Sequence, residues 1–343
     1  MARENEQGEF ALIQKMASFF PKAAPGLITG IGDDSAVFRD PEGKDLLATC
    51  DVLVEGVHFL PEARKDPAAL GARLVSVAFS DLAAMGGLPW LVFISLGAPA
   101  DLSASFYDGL AEGIGRKCVR YRAAVAGGNM SRSPGALFID LFVLGKVEKG
   151  RAMLRSGARP GDVVAVTGTL GASAAGLYLL QHPEAAGQVP EPLRREAISA
   201  HTNPEAQLCV GRTLSAMGFA TSALDVSDGL CQDLGHICVA SRTGAAVSVE
   251  KIPVSEAARA VAEAAGRRPE DFALSGGEDY QVLFTMAEKD ASQVAWRVRE
   301  DCGVAVSVIG RITEPGLGRV LEYPGGITRP FPEIGGHDHF RGN

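Results

Sequence analysis

The sequence predicts a mixed fold of the α/β or α+β kind, organised as two domains. At 343 residues, the chain exceeds the length at which one hydrophobic core usually stops growing, so two cores are expected. Its first half alternates apolar strands with longer amphipathic helices and has few tight two-residue hairpins, a pattern typical of α/β layers. Turn residues near Gly150 separate the halves, so we place the domains at residues 1–150 and 151–343.

The N-terminal half shows clear periodicity. An amphipathic helix is expected over residues 8–20, and strands are expected over residues 46–54, 90–97, 123–126 and 137–147. Longer helices are expected over residues 67–85, capped by Asp66 and stopped by Gly86, and over residues 103–121. The apolar stretch from Leu74 to Ala100 is interrupted by glycines and a proline, which favour a helix, a turn and a strand over a membrane span.

The C-terminal half continues with shorter elements. Strands are expected over residues 163–166, 245–249, 281–285 and 304–312, and a short strand should end at Asp225. A small-residue helix should follow Ser173, and further helices are expected over residues 228–240, 254–265 and 287–299. Residues 182–203, rich in proline and polar side chains, are interpreted as a surface excursion.

Composition excludes several classes of partner. Hydrophobic residues make up 46% of the chain, which is typical of a soluble globular protein. The formal charge is -8, and no run of Lys and Arg could follow a phosphate backbone, so we expect no nucleic acid and no membrane partner. The first eight residues lack the apolar core of a signal peptide, and the six cysteines are scattered. A cytoplasmic protein without a zinc site or a disulfide framework is therefore predicted.

Acidic residues carry the strongest functional signal. Asp81 lies on the stripe of its helix that otherwise faces the core, where an unpaired charge is costly. It should therefore face a polar cavity or a metal site, unless it lies at the edge of the stripe and caps a neighbouring loop. Other aspartates stand in turns or at strand ends, where surface turns and helix caps are the alternative explanations: Asp33, Asp34, Asp51, Asp225 and Asp228.

These carboxylates, if they converge, predict a site that can bind phosphate groups only with divalent cations. Magnesium is the natural candidate, because it prefers oxygen ligands and joins a few carboxylates to substrate phosphates. Gly127 and Gly128 could allow close approach to a phosphate, although a plain turn has the same composition. The segment 167–173 lacks the Gly-Lys-Ser/Thr ending of a P-loop, which disfavours a Walker-type nucleotide site.

At these motifs the sequence resembles the thiamine-monophosphate kinases. The resemblance follows the family's order along nearly the whole chain, and it is carried by Gly30-Ile31-Gly32-Asp33-Asp34, Asp51, Gly56-Val57-His58-Phe59, Ser80-Asp81-Leu82-Ala83-Ala84-Met85-Gly86, Arg155-Ser156-Gly157-Ala158, Asp225-Val226-Ser227-Asp228-Gly229-Leu230, Ser275-Gly276-Gly277-Glu278-Asp279-Tyr280 and Asp338-His339-Phe340. Each motif is weak alone, but the ordered set is specific.

The resemblance implies an activity, a fold and a set of site residues. The activity is ATP-dependent phosphorylation of thiamine monophosphate to thiamine diphosphate, by direct in-line transfer with several Mg²⁺ ions. The fold is that of aminoimidazole ribonucleotide synthetase, with a homodimer formed through the N-terminal sheets. The residues implied to hold Mg²⁺ are Asp34, Thr49, Asp51, Asp81, Asn129, Asp225 and Asp228. Those implied to contact ATP are Gly128, Arg155 and Ser227, and those implied to contact the thiamine substrate are His58, Glu278 and a residue near Ile334.

The chain also departs from the family's pattern. Asn129 stands where the family has an aspartate, which removes one negative charge from the expected metal site, and Ile334 stands near a usual aromatic position. Two alternatives therefore stay open: another ATP-using enzyme of the same superfamily, or a nucleotide-binding paralogue that has lost turnover. A selenophosphate synthetase is disfavoured, because no cysteine precedes Cys50.

Overall fold

The computed structural model describes residues 27–29, 32–39 and 43–332 of the chain. The helix predicted over residues 8–20 lies outside these ranges, as do the motif at residues 338–340 and Ile334. Within the described ranges the chain forms two β-sheets that are covered by helices. This mixed α/β architecture confirms the predicted fold class.

The first sheet contains the strands formed by residues 27–148. They are β1 (Leu27–Thr29), β2 (Ala36–Arg39), β3 (Lys44–Val54), β4 (Leu88–Ala98), β5 (Ala124–Arg132) and β6 (Phe138–Glu148), in the spatial order β1-β2-β3-β6-β4-β5. Strands β4 and β5 run parallel, and the other described neighbours run antiparallel. Helices α1 (Pro67–Ala84) and α2 (Ala104–Tyr121) pack their apolar residues against one face of this sheet.

Helix α1 begins and ends where the sequence predicts. The Asp66 carboxylate accepts a hydrogen bond from the Ala69 N–H at 3.0 Å, and Pro67 occupies the first helical position. Gly86 follows with φ +75°, a conformation that strains other residues, and the chain turns into β4. Among the described helices, α1 has the length and hydropathy needed to cross a membrane, but 72% of that stretch is buried inside the protein. The predicted helix, turn and strand are confirmed.

The second sheet contains the strands formed by residues 163–330. They are β7 (Val163–Thr167), β8 (Ala220–Asp225), β9 (Gly244–Ser248), β10 (Val282–Met286), β11 (Val306–Thr313), β12 (Arg319–Tyr323) and β13 (Ile327–Pro330), in the order β13-β12-β9-β11-β7-β10-β8. Its helices are α3 (Ala172–Gln181), α4 (Pro183–Ala186), α5 (Glu191–Thr202), α6 (Leu208–Met217), α7 (Leu230–Ser241), α8 (Glu256–Ala265), α9 (Pro269–Ser275) and α10 (Ala291–Cys302). Sequence periodicity did not predict α6, α9, β12 or β13.

Two local predictions are wrong. Strand β5 continues through the glycine pair to Arg132, because the ladder with β4 pairs Gly128 with Ile94 and Asn129 with Ser95. Residues 182–203, which we interpreted as a surface excursion, form α4 and α5. Their helical structure is stabilised by packing, since α5 buries Ala197 and His201.

The prediction that the cysteines form no disulfide is also wrong. Cys209 of α6 and Cys302 of α10 form a disulfide with a Cα to Cα distance of 5.7 Å. The two cysteines are 93 residues apart in the sequence, so no local spacing indicates the bond. They meet because α6 and α10 pack side by side through residues such as Leu214 and Val298.

Helix α1 also packs against the second half of the protein. Gly211 of α6 lies so close to it that a Cβ atom there would be 1.9 Å from the carbonyl oxygen of Ala83. The same end of α1 meets strand β8, where the Ser80 hydroxyl donates a hydrogen bond of 2.6 Å to the Asp225 carboxylate. The acidic residue next to Ser80, Asp81, is therefore placed between the two sheets.

Candidate active site

Three aspartates from distant parts of the chain converge between the sheets. Asp34 precedes β2, Asp81 lies in the last turns of α1, and Asp225 ends β8. One carboxylate oxygen from each lies within 4.8 Å of the other two. The sequence singled out these three positions separately, in a turn, on a core-facing helix and at a strand end. They lie together in the fold, and we call Asp34, Asp81 and Asp225 the aspartate cluster.

Strand β3 adds two more oxygen-bearing side chains. The Thr49 hydroxyl lies within hydrogen-bond distance of an Asp81 carboxylate oxygen and 3.3 Å from the carbonyl oxygen of Asp34, and it can donate to one of them at a time. Asp51, two residues further on and on the same face of the strand, lies close enough to Asp81 for the two carboxylates to repel each other. Alternation along β3 thus directs both side chains toward the aspartate cluster.

The protonation of these acids reflects their crowding. Burial, followed by repulsion from Asp51, Asp225 and Asp34, raises the pKa of Asp81 well above its ordinary value. Burial and the charge of Asp34 raise the pKa of Asp225 to about 7, although the hydrogen bond from Ser80 opposes this rise. Burial raises the pKa of Asp51 to about 6. Full ionisation of the cluster therefore requires a compensating positive charge.

The donor atoms fit magnesium. Among the described residues, the Oδ2 atoms of Asp34 and Asp51 are buried without a hydrogen-bond partner, which is costly for a carboxylate oxygen. The side chains around them offer carboxylate and hydroxyl oxygens, the ligand type that Mg²⁺ prefers. A divalent cation would satisfy the orphaned oxygens and neutralise the crowded charge.

Arg155 supplies a positive charge at the edge of the cluster. Its guanidinium forms an ion pair with Asp34, in which Nε donates to Oδ1 at 3.0 Å. Its backbone N–H lies 3.3 Å from Asp33 Oδ2. Burial and repulsion from Asp34 raise the pKa of Asp33 to about 6, against the opposing effects of Arg155. Both carboxylates of the acidic turn thus contact the same arginine.

A cavity of about 660 Å³ adjoins the cluster. Residues from both halves of the protein line it, and among them are the predicted site residues Asp51, His58, Asp81, Asp225, Ser227, Asp228 and Glu278. Its lining also includes Tyr178 and Phe272, whose rings lie 6.0 Å apart in an edge-to-face arrangement, together with Arg267 and Asp271. The cavity therefore combines acidic side chains with an aromatic pair.

His58 is oriented by the backbone around it. The Val54 N–H donates a 3.0 Å hydrogen bond to His58 Nδ1, which makes Nδ1 an acceptor and places the ring proton on Nε2. The His58 carbonyl oxygen accepts a 2.9 Å hydrogen bond from Arg73 Nη2. The sequence alone gave His58 little weight, because a lone histidine is usually structural.

Other predicted residues lie further from the cluster. The Asp228 carboxylate accepts a 2.7 Å hydrogen bond from Gln232 and lies with Asp233 and His236 in a second group of ligand-type atoms within 4.8 Å. Gly128 and Asn129 lie on the exposed strand β5 at the sheet edge. In the described part of the chain, neither is among the residues that line the cavity.

Three contacts of the site were missed by sequence reasoning. Ser80 holds Asp225, while Arg73 and His201 contact Glu278. Arg73 carried a signal, since it and Asp81 are the charged residues of the otherwise apolar α1. His201 gave no signal, because its segment was interpreted as a surface excursion.

Comparison with known proteins identifies the family. Residues 32–147 match the family described as AIR synthase related protein, N-terminal domain, and residues 159–321 match the corresponding C-terminal domain. A thiamine-monophosphate kinase of Aquifex aeolicus is 38% identical over 321 residues, which are 91% of this chain and 98% of that protein. The chain belongs to the thiamine-monophosphate kinase family.

Further members of this kinase family are equally similar over their whole length. The thiamine-monophosphate kinase of Salmonella typhimurium is 36% identical over 336 residues, covering 97% of this chain and 98% of the relative. The solved structure of AaThiL complexed with AMPPCP and TMP has a TM-score of 0.83 and 36% identity, and the match covers 99% of both chains. The family and the fold implied by the sequence motifs are therefore confirmed.

Proposed function

We propose that this chain transfers the γ-phosphoryl group of ATP to thiamine monophosphate, forming thiamine diphosphate and ADP. The observation that carries the proposal is the convergence of Asp34, Asp81 and Asp225 beside a cavity whose lining includes the aromatic side chains Tyr178 and Phe272. An acidic cluster suits phosphate groups joined through metal ions, and an aromatic wall suits the rings of thiamine. Relatives named thiamine-monophosphate kinase, and a solved neighbour with AMPPCP and TMP bound, support the same activity.

The proposed transfer is direct and in line. An oxygen of the thiamine monophosphate forms a bond to the γ-phosphorus of ATP while the bond to the bridging β,γ-oxygen breaks, and ADP leaves. A phosphate oxygen is already ionised near neutral pH, so no general base is required. The main barrier is repulsion between two polyanions, and the protein must therefore position them and neutralise their charge.

Magnesium would supply the neutralising charge for the phosphate groups when it is bound. Several ions are proposed, and their ligands are Asp34, Thr49, Asp51, Asp81, Asn129, Asp225 and Asp228. The orphaned oxygens of Asp34 and Asp51 support the assignment of these two residues. Asn129 has a neutral amide that can offer a carbonyl oxygen in place of a carboxylate.

The remaining site residues bind the two substrates. Arg155, which already contacts the cluster, is proposed to bind phosphate oxygens of ATP together with Gly128 and Ser227. The close packing of β5 supports a glycine at position 128, because a Cβ atom there would lie 2.0 Å from the Ile94 carbonyl oxygen. His58 and Glu278, which line the cavity, are proposed to contact thiamine monophosphate. Ile334 keeps the same proposed role and lies outside the described residues.

Incubation of the purified protein with ATP, Mg²⁺ and thiamine monophosphate tests this function. Chromatography should detect thiamine diphosphate and ADP in equal amounts, and EDTA should abolish both. Nucleotide binding without turnover would instead support a paralogue that has lost activity. ATP hydrolysis that depends on a different acceptor would support another enzyme of the superfamily.

We also propose a homodimer formed through the N-terminal sheet. The face of this sheet opposite α1 and α2 exposes large apolar side chains, including Trp90, Phe138 and Phe142, which are 41%, 39% and 39% exposed. Such a patch favours burial against a second copy. Light scattering should give twice the chain mass, and Phe142→Glu should give the mass of one chain; a wild-type monomer would contradict the dimer.

The division into domains 1–150 and 151–343 and the cytoplasmic location belong to the same proposal. Each sheet has its own hydrophobic cluster, which supports the division. Four free thiols fit a reducing compartment, whereas the Cys209–Cys302 disulfide fits an oxidising one. The location is tested by fractionating the native cells and measuring in which fraction this protein is found.

A further inference from the structure

Both carboxylate oxygens of Glu278 are held by buried side chains. Arg73 Nη2 lies 2.5 Å from Glu278 Oε1, and His201 Nδ1 lies 3.1 Å from Glu278 Oε2. Arg73 and His201 are each only 3% exposed, while the Glu278 side chain is 28% exposed and lines the cavity. The carboxylate is therefore fixed by two groups that have little contact with solvent, of which His201 also lines the cavity.

The same arginine reaches the other proposed substrate contact. Arg73 Nη2 donates to Glu278 Oε1 and also to the carbonyl oxygen of His58, at 2.9 Å. His58 follows strand β3 in the first half of the chain, and Glu278 precedes β10 in the second half. One guanidinium nitrogen thus connects two loops that both contribute a residue to the lining of the cavity.

His201 is itself oriented by a further contact. The Ser173 hydroxyl, in the first turn of α3, lies 3.2 Å from His201 Nδ1, the same nitrogen that faces Glu278 and that carries at most one proton. His201 belongs to the last turn of α5, and its ring contacts Ser173 of α3. Two helices therefore fix the position of the ring. A buried side chain with two polar partners has few alternative rotamers, which makes it suitable for holding a carboxylate in one orientation.

The backbone of the glutamate loop adds to this orientation. Glu278 adopts φ 57° and Tyr280 adopts φ 50°, a left-handed conformation that is uncommon for residues other than glycine. The Glu278 N–H donates to the Ser227 carbonyl oxygen at 2.7 Å, and the Tyr280 N–H donates to the Val226 carbonyl oxygen at 2.8 Å. The two backbone hydrogen bonds therefore hold the loop in an unfavourable backbone conformation, and this conformation directs the Glu278 side chain toward Arg73 and the cavity.

We propose that Arg73 and His201 are positioning residues that fix Glu278 and, through Arg73, hold His58 and Glu278 at the separation that thiamine monophosphate requires. This inference rests on the proposed kinase function. Arg73 is not among the described residues that line the cavity and acts through Glu278 and His58, whereas His201 lines the cavity beside the carboxylate that it holds. The two residues therefore determine mainly the affinity for thiamine monophosphate, and they have little influence on the binding of ATP.

The charge balance agrees with this geometry. Burial opposes ionisation of Glu278, but Arg73 and then His201 outweigh it and lower the pKa of Glu278 to about 2. The carboxylate is therefore anionic at any pH used in an assay. A fixed anion that lines the cavity also suits the positively charged thiazolium ring of thiamine.

The test compares Arg73→Met with a matched control, Lys117→Met. Lys117 is also a buried cation, 6% exposed, and forms a 2.9 Å ion pair with Glu205 away from the cavity. The dissociation constant for thiamine monophosphate is measured by calorimetric titration, and KM for both substrates is measured where turnover occurs. Circular dichroism and thermal unfolding report the fold of each variant.

Arg73→Met should weaken binding of thiamine monophosphate by roughly 10- to 100-fold, because Glu278 loses a charge-assisted hydrogen bond and its arginine partner, and only His201 then holds the carboxylate. KM for ATP should change by less than about threefold. Arg73→Lys should recover part of the loss, since it keeps the charge but not the fork geometry. Combining Arg73→Met with Glu278→Gln should weaken binding less than the product of the two single effects.

Unchanged binding in a folded Arg73→Met protein, or a loss no larger than that of Lys117→Met, would overturn the inference. Equal increases in KM for both substrates would also overturn it, because they indicate general disorder of the site. Where Arg73→Met does not fold, Arg73→Lys and His201→Asn decide by the same criteria. The binding titration does not require turnover. If the wild type forms no thiamine diphosphate, the kinase activity is rejected, and the titration still decides whether Arg73 and His201 are positioning residues.

Discussion

Asp34 and Arg155 form a buried ion pair at the point where the acidic turn meets the aspartate cluster, with Arg155 Nε 3.0 Å from Asp34 Oδ1. In this pair, the proposed metal ligand Asp34 is hydrogen-bonded directly to the proposed ATP contact Arg155. One oxygen of Asp34 is satisfied by the arginine, and the other is buried without a described partner. The protein therefore neutralises part of the cluster itself and leaves the remaining charge to be balanced by a cation.

Arg155→Met should make the protein more dependent on magnesium. Removing one partner of a buried pair costs about 3–5 kcal/mol of stability, and a cation bound by Asp34 can compensate for part of this cost. The melting temperature of the variant should be lower than that of the wild type without Mg²⁺ and should rise more when Mg²⁺ is added. Arg212→Met, which removes a surface pair with Glu148, is the control. Equal magnesium shifts in all three proteins would contradict this role of Arg155.

The metal-free protein should lose stability as the pH rises from about 4 to about 7. The pKa of Asp225 is raised in the fold from 3.8 to about 7 and that of Asp51 to about 6, so the folded state binds more protons than the unfolded state between these values. Stability then falls with increasing pH, by up to about 1.4 kcal/mol per pH unit for each such group.

Urea unfolding in EDTA at several pH values measures this slope. Asp225→Asn should flatten it, and Asp108→Asn, which changes an exposed carboxylate on α2, should leave it unchanged. Mg²⁺ binding near pH 6 should release protons, which calorimetry in buffers of different ionisation enthalpy detects. A slope that is the same in Asp225→Asn and the wild type would show that the cluster does not titrate in this way.

Asn129→Asp should preserve or raise turnover and lower the Mg²⁺ concentration needed for half-maximal rate. The substitution adds a carboxylate at a proposed metal position, and position 129 is exposed on β5, so its effect on stability should stay within about 0.5 kcal/mol. Steady-state kinetics at varied Mg²⁺ test this. A large loss of activity in the folded variant would count against Asn129 as a ligand.

Reduction of the Cys209–Cys302 disulfide should lower thermal stability. The bond closes a loop of 93 residues, and such cross-links typically contribute about 2–4 kcal/mol. A Cys209→Ser, Cys302→Ser protein should melt at the temperature of the reduced wild type and should be insensitive to reductant. Thiol titration of the denatured, unreduced protein should find four free thiols. Six free thiols would show that the bond does not form.

Local sequence signals predicted the elements that carry the acids. Asp66, Pro67 and Gly86 fix the ends of α1, and the helical stripe places Asp81 toward the interior, so its position facing a polar cavity could be predicted. Convergence with Asp34 and Asp225 could only be inferred from motif order, because these residues meet through contacts between the two sheets.

Contacts between distant segments account for what the sequence did not reveal. His201 and Glu278 are 77 residues apart, and nothing in either local pattern indicates that they pair. The glycine pair at positions 127 and 128 was expected to end a strand, but pairing with β4 extends β5 through it. In both cases tertiary pairing overrides local preference, which single-sequence reasoning cannot weigh.

The most direct measurement follows the γ-phosphoryl group in the wild type and in Asp81→Asn. Asp81 is crowded by three other acids, so the neutral amide should stabilise the metal-free protein by about 1–2 kcal/mol while removing a central metal ligand. With γ-labelled ATP, Mg²⁺ and thiamine monophosphate, label should appear in thiamine diphosphate for the wild type and be nearly absent for the more stable variant. Unlabelled thiamine diphosphate, or undiminished transfer by folded Asp81→Asn, would contradict direct transfer at the aspartate cluster.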